Sequence, residues 1–287
     1  MSTTARTGEP RREAPLHNTV LGLRKTTRQK LVRGFFYALL LGALAWLALT
    51  ADWVAIQEQF LQVDVALQIV PEIIYIAARN TVLFTLISFI GGLALGLLLA
   101  LMKLSPIPPY RWIATVYIEV FRGLPALLVI FATAFVVPIA FGWRAPGGST
   151  GAGLLALILV SAAYIAETIR AGIQAVPNGQ REAARSLGMS PAWTMISVVL
   201  PQAFRIIVPP MTNEFVILIK DTALLFVAGS IAAREELTTF AREEIQQFAN
   251  ATPLLMAAML YLLITIPLTR LVAWMERRDN RTLSTHT

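Results

Sequence analysis

Apolar stretches of bilayer length recur along this chain, and they leave it few ways to fold. Four carry no charge, at 34–51, 80–102, 123–143 and 248–269. A fifth, 145–166, opens on a Pro-Gly-Gly-Ser-Thr-Gly turn, so its helix is expected to start near Gly153. The sixth, 206–233, is interrupted by Glu214, Lys220 and Asp221. About 20 apolar residues in a helix cross the hydrocarbon core, where each backbone polar group must be satisfied within the segment. The pattern predicts an all-α, polytopic membrane helix bundle with about six transmembrane helices. With 56% hydrophobic and 14% charged residues, a water-soluble domain of this length is excluded.

The net charge of +7 does not point to nucleic acid, because the basic residues sit at the ends of apolar runs. With the N-terminal tail inside, 18 of the 24 Lys and Arg residues fall on the cytoplasmic side, and both termini are expected there. Residues 1–33 read as a disordered basic tail ending at the membrane surface, too long and too charged for a cleaved signal peptide. Residues 34–75 are expected to form an extra N-terminal transmembrane helix followed by an interfacial helix outside. In that helix Ile56, Phe60, Val63, Leu67 and Val70 form the apolar stripe opposite Gln57, Glu58, Asp64 and Gln68. A similar stripe, Leu237, Ala241, Ile245 and Phe248, runs beside Glu235, Glu236, Glu243 and Glu244. The core domain spans 76–274, and 275–287 reads as a cytoplasmic tail.

Reaction chemistry within the chain is not expected. There is no cysteine, and the two histidines, His17 and His286, lie in the tails, so neither a metal site nor a catalytic residue is assigned. No GxxxxGK[ST] run cradles a phosphate, so nucleotide energy must come from another subunit.

The longest cytoplasmic connection, 171–205, is ordered in character. Pro177-Asn178-Gly179 ends one helix and caps the next, and 180–187 are good helix formers that place Glu182 in the first turn, where a carboxylate is favoured. Gly188 suits a left-handed cap, Ser190-Pro191 starts a second helix, and Pro201 is expected to end it. Ala184 and Gly188, four apart, offer a face with little bulk for another protein to approach.

This loop resembles a known one. The spacing Glu182-Ala183-Ala184, Gly188, Val198, Leu200-Pro201 is similar to the EAA loop of ABC-importer permeases, with valine where the family favours isoleucine. The segments Tyr117-Ile118-Glu119-Val120-Phe121-Arg122-Gly123-Leu124-Pro125, Val176-Pro177-Asn178-Gly179-Gln180 and Lys220-Asp221-Thr222-Ala223-Leu224 resemble signatures of the branch that imports polar amino acids (histidine, glutamate, glutamine, arginine). The resemblance covers roughly 76–274. It implies the type I ABC importer transmembrane fold and an ATPase-coupling role for Glu182, Ala183, Ala184, Gly188, Leu200 and Pro201. It also implies ATPase subunits that bind ATP and Mg, an extracytoplasmic amino-acid-binding protein, a second permease subunit, and a bacterial inner-membrane location.

Charges at membrane depth face the protein interior or a water-filled path. Glu119, Arg122, Glu167, Glu214, Lys220 and Asp221 are therefore inspected for a solute route, with Glu119, Arg122, Glu167, Lys220 and Asp221 as the candidates for the pathway. Glu119 with Arg122 and Glu167 with Arg170 have helical spacing for mutual neutralisation. The alternative function is an ion-coupled secondary transporter that uses these carboxylates.

Overall fold

The computed structural model describes residues 25–229 and 235–284, and every regular element among them is a helix. The chain divides into two units, Met1–Ala55 and Ile56–Thr287. In the first, α1 (Lys25–Thr50) includes an apolar stretch, Gln29–Thr50, long enough to span a bilayer. The helix already begins at Lys25, inside the tail expected over 1–33; residues 1–24 lie outside the described residues.

The expected interfacial helix is two helices. Helix α2 (Trp53–Phe60) stops at Leu61-Gln62, and α3 (Val63–Glu72) runs through a π-helical turn, Ile73–Ala78, into α4 (Arg79–Leu104). The buried row is Val65, Ile69, Ile73 and Ala77, whereas Val63 and Leu67 of the expected stripe are 67% and 68% exposed. Both faces carry aliphatic residues, so packing chooses between them: Ile69, Ile73 and Ala77 join a core with Leu237, Phe240, Ala241 and Ala257. Residues from Ile56 onward fall in the second unit.

Helix α5 (Pro108–Gly123) is followed after Leu124-Pro125 by α6 (Ala126–Phe131), a π turn (Ala132–Val136) and α7 (Val137–Phe141). The chain bends by 105° at Leu124-Pro125. A residue before proline is driven out of the helical region, and Leu124 is extended at φ −93°, ψ 136°. The stretch 123–143, expected as one span, thus supplies the second limb of this bent pair, Ala126–Phe141. Helix α8 (Gly148–Gln174) starts at Gly148, not near Gly153, because two left-handed glycines, Gly147 and Gly148, turn the chain directly into it.

Helices α4 and α8 form the centre, and small residues bring them together. A Cβ on Gly96 would stand 2.9 Å from the Ala162 carbonyl oxygen, and one on Gly92 would stand 2.2 Å from Ser161 Oγ. Beyond α8 come α9 (Asn178–Ser186), α10 (Pro191–Thr194), a π turn (Met195–Val199), α11 (Leu200–Asp221) and a 3₁₀ segment, Thr222–Ala228. Helix α12 (Leu237–Phe248) buries Leu237, Phe240 and Ala241, and its N-terminus is capped by the buried Glu236 carboxylate, which accepts from Thr238 N and Thr239 N at 2.7 Å and from Tyr261 Oη at 2.9 Å. Helix α13 (Thr252–Ser284) continues through most of the tail expected at 275–287.

Among the described residues five helices are long and apolar enough to cross a membrane, and up to six spans result when the bent α5–α7 element counts as one, in agreement with the sequence.

Candidate functional site

Two places in the main body gather the residues singled out from the sequence: the hairpin at 171–205 and a cavity at the α5–α6 bend.

The hairpin begins where Pro177, extended at ψ 134°, lets its carbonyl accept from Gln180 N–H at 3.0 Å. Asn178 and Gly179 therefore enter α9 instead of capping it, and Glu182 falls in the second turn, not the first. At the other end Gly188 is left-handed (φ +84°); its N–H donates to Arg185 O at 3.0 Å while Met189 N–H donates to Ala184 O at 3.2 Å. These two bonds form a Schellman closure. Ser190 Oγ then accepts from Trp193 N–H at 3.2 Å and caps α10. Arg181 reaches back to the Ile173 carbonyl at 2.6 Å, tying α9 to the end of α8.

The exposed surface of this hairpin is not the expected small-residue face. Ala184 is buried, because α9 packs on the π turn ahead of α11, and its methyl size serves that internal contact. Glu182 and Ala183 face outward with Leu187, which is 85% exposed, and Gly188 is open. Nor does Pro201 end the second helix. Proline lacks an N–H and crowds the carbonyl four residues back, and the widened π turn over Met195–Val199 absorbs both effects. Pro201 sits in the first turn of α11 beside Leu200, so 191–228 forms one rod from the hairpin into the bundle.

That rod carries the second site. A cavity of about 270 Å³ is lined by Leu124 and Pro125 at the bend, Leu157, Ser161 and Tyr164 of α8, and Glu214 and Asp221 of α11. Both carboxylates are half-buried. Arg122, in the last turn of α5, places its guanidinium 5.6 Å from the Tyr164 ring centroid, within electrostatic reach of Glu214, and its carbonyl accepts from Tyr164 Oη at 3.4 Å.

Of the sequence-selected pathway residues, only Asp221 lines this cavity, joined by Glu214; Arg122 is exposed and outside the lining, beside Tyr164. Glu119 and Lys220 are exposed and do not line it. Arg122 stacks on Tyr164 instead of pairing with Glu119. Glu167 accepts from Arg170 Nη2 at 2.5 Å and from Lys103 Nζ at 3.3 Å, an ion triad that ties the end of α4 to α8 away from the cavity. Glu214 could have been promoted from sequence, since it precedes Asp221 by two helical turns on one face. Tyr164 and the bend carried no such signal.

Residues 92–280 match the family described as binding-protein-dependent transport system inner membrane component. The probable glutamine ABC transporter permease protein GlnM of Bacillus subtilis is 36% identical over 69% of this chain and 89% of its own. The arginine transport system permease protein ArtQ of the same organism is 37% identical over 69% of this chain and 88% of its own. A crystal structure of an amino acid ABC transporter with histidines superposes with a TM-score of 0.68 at 37% identity, covering 74% of this chain and 96% of that one. A bacterial alginate ABC transporter, 17% identical, shares the fold alone, with a TM-score of 0.56 over 88% of this chain and 97% of that one. The chain therefore belongs to the family of inner-membrane components of binding-protein-dependent transport systems, and it is an ABC-importer permease with the type I fold.

Proposed function

We propose that this chain forms the translocation pathway of an ATP-driven importer of polar L-amino acids in a bacterial inner membrane, with both termini cytoplasmic. It works beside a second permease subunit, receives its cargo from an extracytoplasmic binding protein, and performs no covalent chemistry. The ATPase subunits bind ATP and Mg and dock on the hairpin, where Glu182, Ala183 and Leu187 supply the exposed contact. Ala184, Gly188, Leu200 and Pro201 hold its shape.

The observation that carries this reading is the continuous rod from α10 through α11. Ser190, at the hairpin, and Glu214, at the cavity, lie on one helical run, separated by about 36 Å at 1.5 Å per residue. A rod with a docking element at one end and a charged cavity along its length transmits movement of the ATPase subunits to the pathway as a rigid-body motion. The relatives named as glutamine and arginine permeases support an amino acid as cargo.

The test is Glu182→Lys, made in the permease co-expressed with its ATPase and binding protein. ATP-driven uptake in vesicles and co-purification of the ATPase are expected to be lost while the variant inserts at normal yield. Normal uptake by Glu182→Lys would remove the hairpin from the mechanism, and uptake driven by an ion gradient without ATPase would replace the importer reading with secondary transport.

A further inference from the structure

The rod that joins the hairpin to the bundle changes its hydrogen-bond register between α10 and α11. The turn Met195–Val199 is π-helical, and the α pattern resumes at Leu200, whose N–H donates to the Met195 carbonyl five residues back. A π turn is an α-helix holding one residue too many, so it can move along the helix or close without breaking the chain. Each residue of such a shift turns the helix beyond it by about 100° and advances it by about 1.5 Å.

Two side chains act on this turn in opposite senses. Pro201 has no N–H to give to Ser197, four residues back, or to Ile196, five back, so the stretch has fewer backbone bonds than a regular helix. Gln202 Nε2 supports the next carbonyl of the turn, that of Val198, at 2.9 Å. Thr194, one residue ahead of the turn, works against the arrangement. It is 4% exposed, and although its N–H donates to the Ser190 carbonyl at 2.8 Å, its hydroxyl has no partner. Thr81, Thr85, Thr115, Thr212 and Thr265 all donate from the hydroxyl to the carbonyl four residues back. A buried hydroxyl without a partner destabilises the geometry that strands it, and a shift that gives it an acceptor is favoured. The register is thus held by a side-chain bond and opposed by a stranded hydroxyl at the place where α9 packs on α10 and on the π turn.

We propose that Met195–Val199 is a two-register joint, at which movement of the hairpin becomes rotation of α11. Gln202 holds the π register, and the Thr194 hydroxyl favours leaving it. ATPase subunits that grip the hairpin in the geometry of the second register draw the joint into it, and α11 then turns as a body. This rests on the coupling role of the hairpin and adds the place where that coupling changes direction.

The chain has no cysteine, so spin labels can be attached to Ala192→Cys and Phe204→Cys, both exposed and on opposite sides of the turn. The intrachain distance is measured by pulsed electron resonance on the full transporter, with ATPase subunits and binding protein, without nucleotide and with a non-hydrolysable ATP analogue and Mg. Two distances are expected, the second gaining population with nucleotide. Gln202→Met should raise the nucleotide-free share of the second distance by about threefold, and Thr194→Val should lower the nucleotide-induced share by as much. Uptake by Thr194→Val should fall by about threefold with the melting temperature of the permease unchanged or raised, and Thr194→Ser, which keeps the hydroxyl, should restore both distances and uptake. A single distance, the same with and without nucleotide in a transporter that takes up substrate normally, would overturn the joint and leave hairpin docking intact. A lowered melting temperature in Thr194→Val with unchanged distances would overturn the role of its hydroxyl. ATPase subunits that do not co-purify with the unaltered permease would remove the docking reading itself. The comparison with and without nucleotide on otherwise unaltered protein decides the matter even where a variant fails to fold.

Discussion

The hairpin and the cavity are built over very different distances along the chain. The hairpin closes through bonds between near neighbours: Gly188 to Arg185, Met189 to Ala184, Trp193 to Ser190, and Arg181 to Ile173. The cavity draws its walls from residues 124–126, 157–164 and 214–221, and none of these segments makes a pocket alone. A locally closed element can swing as a unit without losing shape, which suits a docking lever. A pocket assembled from three helices changes whenever those helices shift, which suits a pathway that must open and close.

Breaking the packing that both regions share should have the largest effect. Gly96→Leu forces a side chain against the Ala162 carbonyl and Ile165, and α8, which carries Tyr164 and leads into the hairpin, must move away from α4. Overpacking of this kind costs on the order of 3 kcal/mol. The expected outcome is loss of monodisperse, detergent-extracted protein, so that neither binding nor uptake is recovered; a Gly96→Leu protein with normal stability and uptake would show that the two sites do not depend on this contact.

Gly188→Val should separate the two regions. Nothing crowds the position, but a β-branched residue at φ +84° is strained by about 1–3 kcal/mol, and the strain falls on the hairpin. Uptake should drop at least tenfold while amino-acid binding by the permease is kept. Equal losses in both assays would mean that the hairpin is not locally closed. Ser190→Ala removes a single cap bond, worth about 1 kcal/mol. A decrease in uptake of a few fold, with the melting temperature almost unchanged, is expected of it.

The smallest effect belongs to neither region. Glu235, beside the capped start of α12, has its carboxyl pushed up from 4.5 to about 7 by burial, by a hydrogen bond with Glu243, and by the negative charges of Glu243, Glu244 and Glu72. A carboxyl whose pKa is raised by folding binds its proton more tightly in the folded chain. Its contribution to stability is therefore complete below about pH 4.5 and is lost as pH rises through about 7. Thermal unfolding in detergent between pH 4.5 and 8 should show this decline, and Glu235→Gln should flatten it. A slope that is unchanged in Glu235→Gln would assign the proton elsewhere.

The caps of the hairpin were legible because Gly188, Ser190 and Pro191 act through their own backbone and their nearest neighbours. Even there, the register of α9 was misplaced by the local signals: Pro177 opens the helix early, and Glu182 moves out of the first turn. The burial of Ala184 was not legible for a different reason. A small residue on a helix face permits close approach by any partner, and sequence does not say whether that partner is another protein or, as here, the π turn of the same chain. Likewise α3 has aliphatic residues on both faces, and only its packing against α12 and α13 selects Ile69 and Ile73 over Val63 and Leu67.

The sequence by itself determined the membrane class, the six apolar segments, and the presence of a shaped polar hairpin between two of them. Each rests on segment length, hydropathy or local backbone chemistry, which a chain carries whatever its partners in space. The tertiary structure alone decided that the chain bends by 105° between α5 and α6, that Glu167 is bound in an ion triad between α4 and α8, and that Glu214 and Asp221 share a cavity lined by Tyr164, over whose ring Arg122 lies. Charges at membrane depth are costly until they meet a partner, and which partner each one meets depends on how helices far apart in sequence are packed.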